Sequence, residues 1–375
     1  MNAVLDESVL DAVDRLVLAD RGGLLRAVAT AGAQVRQGRQ LAEEAGIEAY
    51  LSGLKPRAVL FASDAPAETV ARAVAALAGG PATPAPIVLH REPVLPVWAG
   101  PLDLLIATTY AGGDERVLAA VEGAIRRGVP VVAVGPAPSP LEEAALRGRA
   151  PFVPVPAYPV RAGLWSLLAP TLYALGRSGV AAIPEGDLPV AADLLDAIAQ
   201  RCGPSNETFG NPAKSLALEL GGALPVVWGT SPLAAVAAYR AVGQLAGNAT
   251  VPAVWGVLPT AAHQVGGLFD APDATSTDDL FRDRVEEAEP RRPRLVLLRD
   301  LDESADVRLQ ADLISAGLTL RGVPVTELMA EEGGPVTRMA SLIGLFDFAT
   351  VYTGLALGVD PSGVRTGQVQ GQVQG

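Results

Sequence analysis

The chain has 375 residues, 49% hydrophobic and 19% charged, with a formal net charge of −12. That length gives ample core for two domains or one large α/β unit, and the acidic balance argues against a nucleic-acid or anionic-membrane surface. One cysteine, Cys202, and two histidines, His90 and His263, exclude a disulfide framework and a cysteine- or histidine-rich metal site; neither metal nor cofactor is expected.

Residues 5–47 read as helix, with Leu, Val and Ala at three- and four-residue spacing and a break at Arg21-Gly22-Gly23. The opening MNAVLDESVLDAVDRL is acidic and amphipathic, without the basic n-region of a secretory signal. No uninterrupted apolar run approaches the ~20 residues of a membrane span, so a soluble cytoplasmic protein is expected. Short apolar runs then begin: PRAVLFA (56–62), PIVLH (86–90), LDLLIAT (102–108), VPVVAVG (129–135) and APFVPVP (150–156). Runs apolar on both faces suit strands of a parallel sheet. Helix-length segments at 67–79, 115–128 and 139–148 separate them, and a longer helix is expected over 161–179.

After a proline-marked linking helix the order repeats. ALPVVWG (223–229), VPAVWGVLP (251–259), RPRLVLLRD (292–300) and VPVTELM (323–329) read as strands, with helices at 211–221, 232–246, 303–316 and 335–348. The alternation predicts doubly wound α/β units. The expected division is N-terminal helices 1–47, a first unit 48–185, a linking helix 186–210, a second unit 211–365 and a low-complexity tail 366–375. The acidic stretch 270–290 reads as a surface loop or irregular helix.

The turn TTYAGGDERVL (108–118) joins a strand to a helix start, where free N–H groups favour an anion. Gly112 and Gly113 permit a tight turn and close approach of a ligand. Asp114 is equally a plain N-cap.

Five stretches carry a family resemblance. TYAGGDERVLAAVEGAIRRGVPVVAV is similar to the SIS (sugar isomerase) pattern SYSGNTEETL…A…A…RGA.VVAI. NPAKSLALELGGALPVVWG (211–229) resembles the NPAK.LA.EL.G..PV.YG stretch of the bifunctional phosphoglucose/phosphomannose isomerases. YPVRAGLWSLLAPTLYAL (158–175), GNATVPAVWGVLPTAAHQV (247–265) and FDFATVYTGLALGVDPSGV (346–364) resemble that family's YPPRAALG, ENAKVPAF…LPE..HNE and DF.SVYLAL..GIDP.PV. The matches keep the family's order. The resemblance implies two SIS subdomains, each a five-stranded parallel sheet flanked by helices in flavodoxin-like, doubly wound order. It also implies a homodimer and a small phosphorylated sugar as partner. The family reaction is isomerisation of glucose 6-phosphate or mannose 6-phosphate to fructose 6-phosphate. It needs a phosphate cradle and a carboxylate that moves a proton between C1 and C2.

Carried over residue by residue, the family's site is incomplete here. Thr109 matches the first hydroxyl of the phosphate loop, but Ala111 replaces the second. Asp114 replaces the threonine; two charges ~4 Å apart would repel by about 4 kcal/mol at an intermediate dielectric. Ser63 is a possible hydroxyl in FASDAPAET, where the family has a glycine-rich loop, and Asp64 beside it is unhelpful to an anion. The family's glutamate base falls at Gln264, or at Val265 without a gap, and neither can take a proton. His263 matches the motif histidine and is the alternative base, or else a half-buried histidine at a strand end; Asp270 and Asp273 lie near in sequence. Arg161 matches the arginine that steadies negative charge near C1–C2, or is a paired surface arginine. Lys214 and Asn211 are retained in NPAK, as supporting residues or as a helix start with Pro212 at N1. Three functions follow as expectations: an isomerase whose chemistry has moved to His263 and Arg161, a non-catalytic metabolite binder or sensor, and a structural or assembly dimer.

Overall fold

The computed structural model describes residues 5–79, 83–181, 183–270 and 291–363. The tail 366–375 and residues 271–290 of the acidic stretch lie outside them. The chain divides into two compact units: one holds residues 26–200 and 331–344, the other residues 1–25, 201–330 and 345–375.

In the first of these, five strands lie parallel in the order β2-β1-β3-β4-β5: β1 (Val59–Ser63), β2 (Ile87–His90), β3 (Leu104–Thr108), β4 (Val131–Gly135) and β5 (Phe152–Pro154). β3 and β4 are buried at every residue, which is why their sequences are unbroken apolar runs. Helices Glu115–Arg126 and Pro140–Arg147 cover one face. Val117, Ala120, Val121, Ala124, Leu141 and Ala145 there meet Leu60, Leu105 and Val131 of the sheet. Each buried Val or Leu contributes about 1.5–3 kcal/mol, so a core poor in aromatics is still sufficient.

The other unit carries β6 (Leu224–Gly229), β7 (Val254–Val257), β8 (Pro293–Arg299) and β9 (Val325–Met329), parallel, in the order β7-β6-β8-β9. Four strands are present among the described residues, one fewer than the resemblance implies. β9 is one of the two edge strands and is at most half-buried along its length.

Helix starts follow one local device. Ser139-Pro140, Asn211-Pro212 and Ser231-Pro232 each place a capping side chain before a proline at the first turn, and the cap accepts a backbone N–H in all three. Residues 5–51 form five helices, the longest Ala31–Glu44, with the expected break at 20–23 and others on either side of it. At the break Asp20 accepts the N–H groups of Leu24 and Leu25, both at 2.8 Å. The helix expected from 161 begins at Leu164, because the Pro159 carbonyl first takes the N–H groups of Ala162 and Gly163 in a turn. The helix expected over 335–348 runs from Pro335 to Ala356. Its length and mean hydropathy would suit a membrane span, but 94% of its most apolar window is buried inside the protein, as in a core helix. Asp187 caps its start, accepting the N–H groups of Val336 and Thr337.

Candidate functional site: two strand-end crevices

In open α/β sheets a ligand crevice forms where strand order reverses, beyond the carboxyl ends of the two strands concerned. Here those points fall between β1 and β3 in one unit and between β6 and β8 in the other.

At the first point Ser63 is register partner to Thr108, so Asp64 and Thr109 follow side by side. The Asp64 carboxylate, on a residue 5% exposed, crosses the gap: Oδ2 accepts the Tyr110 N–H at 2.8 Å and Oδ1 the Ala67 N–H at 3.2 Å. The Ala111 N–H also bonds to it. Burial raises the pKa of this carboxyl, the three N–H groups pull it back, and the negative Asp114 adds to the rise. Thr109 is 1% exposed, and its hydroxyl oxygen accepts the Gly112 N–H at 2.9 Å. Gly112 has φ +72°, and a Cβ there would lie 2.4 Å from the Ser139 Cβ; around Gly113 there is open space. Asp114 caps the next helix, its Oδ1 accepting the N–H groups of Arg116 and Val117 at 3.0 and 3.1 Å, while Arg116 pairs with Oδ2 at 3.1 Å. Aspartates of the same chain thus hold the N–H groups of Ala67 and Tyr110 at the strand ends and of Arg116 and Val117 at the helix start.

Ser63 is half-buried and lines a small depression with His90, Arg91, Glu92 and Arg116. His90 is 7% exposed, its Nε2 has no hydrogen-bond partner among the described residues, and burial lowers its pKa. Arg161 is half-buried in the turn before helix Leu164–Arg177. That turn neighbours the β3 turn, since a Cβ on Gly163 would lie 3.1 Å from the Tyr110 ring. The structure therefore gathers Ser63, Thr109, Gly112, Gly113 and Arg161 at one end of one sheet.

His263, Gln264, Lys214 and Asn211 belong to the other unit. The short helix Thr260–Val265 after β7 turns Ala261 and Val265, four residues apart, onto the core and leaves His263 and Gln264 exposed. The expectation of a half-buried His263 is thus corrected. Asp270 pairs with Arg321 at 2.8 Å, and Asp273 lies outside the described residues. Lys214 is fully buried; its Nζ donates to the carbonyls of Pro204 (3.0 Å) and Asn206 (2.6 Å), with Asp11 at 3.5 Å and the Tyr352 ring centroid at 5.7 Å. Burial holds its pKa below the ordinary lysine value. Asn211 accepts the N–H groups of Ala213 and Lys214 and donates to the Gly203 carbonyl. The retained NPAK motif thus fastens a helix start to the 203–206 loop.

The second crevice is closed in a similar way. Ser231, after β6, donates to Asp300 Oδ2 at 2.7 Å, and Asp300, after β8, donates its N–H to Thr230 Oγ1 at 2.9 Å. All three are buried. The bridging roles of Asp64 and Asp300 are not in the sequence reading. Their signal was an aspartate one step beyond the carboxyl end of one strand at each reversal, β1 and β8.

Comparisons with known proteins agree with this frame. Residues 209–366 match the family model for the bacterial phospho-glucose isomerase C-terminal SIS domain. The chain is 25% identical over 293 residues to a bifunctional phosphoglucose/phosphomannose isomerase of Caldicellulosiruptor bescii, covering 75% of this chain and 78% of that one. A protein of the same description from Aquifex aeolicus is 25% identical over 283 residues, covering 75% and 79%. In fold, the chain is similar to the Escherichia coli tagatose-6-phosphate ketose/aldose isomerase, with TM-score 0.66 and 14% identity over 92% of this chain and 97% of that one. A hypothetical protein of Thermus thermophilus superposes with TM-score 0.68 and 15% identity over 98% and 95%.

Proposed function

We propose that the chain, which resembles the SIS-domain isomerases of the bifunctional phosphoglucose/phosphomannose type, is a non-catalytic member of that family, a cytoplasmic metabolite-binding protein that does not interconvert hexose 6-phosphates. The observation that carries the reading is the pair Gln264–Val265 at the position of the family's carboxylate. Gln264 is an exposed amide and Val265 packs on the core, so neither can accept the C2 proton. Loss of a general base costs roughly 10²–10⁴ in rate. His263, exposed on the same helix, has no carboxylate hydrogen-bonded to it among the described residues to orient its ring. Arg161 beside the Tyr110 turn supports retained ligand contact in the first crevice, with a hexose-derived metabolite as the ligand class. Homodimer formation belongs to the same proposal.

A coupled assay with glucose 6-phosphate and mannose 6-phosphate tests it. Negligible turnover agrees with the reading; appreciable turnover that disappears with His263→Ala would establish the relocated isomerase instead. The aspartates that bridge both crevices favour a second reading, an assembly dimer without a ligand. A thermal-shift panel of hexoses, hexose 6-phosphates and sugar acids separates the two. A ligand at 100 times its dissociation constant stabilises by about 2.7 kcal/mol, and a melting point unmoved by the whole panel would favour assembly.

A further inference from the structure

The Asp64 carboxylate does more than cap a turn. N–H groups from two chain segments converge on it: Ala67 after β1, and Tyr110 with Ala111 after β3. They do so at the point of strand reversal, where the fold places its ligand crevice. Converging backbone N–H groups form a concavity for an anion. In this chain a side chain supplies the anion, on a residue only 5% exposed, and no arginine or lysine pairs with it in the contacts described for it.

We propose that Asp64 is a built-in anionic ligand of the first crevice, and that its carboxylate is what keeps anionic ligands such as phosphomonoesters out. The inference rests on the reading of this crevice as a ligand site inherited with the fold. It makes Asp64 the specificity-determining residue. With aspartate in place the crevice accepts neutral hydroxyl-bearing groups, and a dianion meets both a filled set of donors and a like charge. A second carboxylate, on Asp114, reinforces that exclusion.

The test uses the full chain with inorganic phosphate and formate as probes. Asp64→Ser keeps a residue suited to the capping position but withdraws the carboxylate; Asp64→Asn keeps the shape and removes the charge. Phosphate is titrated by calorimetry into wild type and both variants at constant ionic strength. The expected result is binding to Asp64→Ser about tenfold or more tighter than to wild type, with Asp64→Asn between. Formate, the size of the deleted group, should raise the melting temperature of Asp64→Ser and leave wild type unmoved. Equal phosphate affinity in wild type and variants, or no binding by any of them, would overturn the proposal. Should the serine variant fail to fold, the asparagine variant decides alone: no gain over wild type refutes the inference. Turnover of hexose 6-phosphates by wild type would undo the functional reading above, independently of the phosphate titration.

Discussion

Buried ionisable side chains are where the sequence pattern and the packing diverge most. Asp64 is costly in its charged form because burial outweighs the three N–H groups it accepts, so its folded pKa lies above the usual 3.8. The sign follows from linkage: a group with a raised folded pKa contributes stability below its unfolded pKa and loses it as pH rises through the folded value. The stability of wild type relative to Asp64→Asn should therefore increase as pH falls from 7 towards 4. Paired urea melts across that range check it, and a difference that is flat or declines contradicts it. Lys214 makes the second case. Its ammonium satisfies two backbone carbonyls from a fully buried position, so Lys214→Ala should cost on the order of 3 kcal/mol in a urea melt. A near-neutral change would mean that the 203–206 loop holds itself. Lys214 was legible as a retained motif residue, and Asn211 as a cap. That the lysine faces carbonyls ten and eight residues earlier in the chain depends on how loop 203–206 folds back, which no local pattern encodes.

At the scale of elements, strand existence was plain because strands buried on both faces, such as β3 and β4, must be continuously apolar; β9, with Thr326 and Glu327 in a half-buried edge strand, carries the weaker pattern. Strand ends were less clear: APFVPVP reduces to Phe152–Pro154, although the Val155 N–H still donates to the Gly135 carbonyl. The turn between β3 and its helix was read correctly as a glycine turn with a cap, yet its two glycines differ in a way that spacing cannot show. Gly112 sits at positive φ against Ser139, whereas Gly113 faces open space. Gly112→Ala should destabilise by about 2 kcal/mol or more, through both the backbone conformation and the clash, while Gly113→Ala stays within roughly 0.5 kcal/mol. Denaturant midpoints of the two variants give the comparison, and similar losses would refute it. Asp114→Ala should remove a cap worth about 1 kcal/mol.

For the whole molecule, the doubly wound architecture followed from alternation of strand and helix patterns, and the family resemblance from five ordered matches. What the sequence left open was which groups lie opposite one another at each strand reversal. In both units an aspartate bridges the gap: Asp64 to the N–H groups after β3, and Asp300 to Ser231 after β6. These bridges depend on strand order, and strand order is set by tertiary packing and not by any segment alone. They also bear on function, because the N–H groups that Asp64 holds are not available to a reacting sugar phosphate. The most direct measurement of whether chemistry survives is proton exchange at the sugar, which detects even a half-reaction. Fructose 6-phosphate incubated with the protein in heavy water should, on this account, show no deuterium at C1 by NMR and yield no glucose or mannose 6-phosphate. Deuterium incorporation dependent on the protein and abolished by His263→Ala would contradict it and establish a working base.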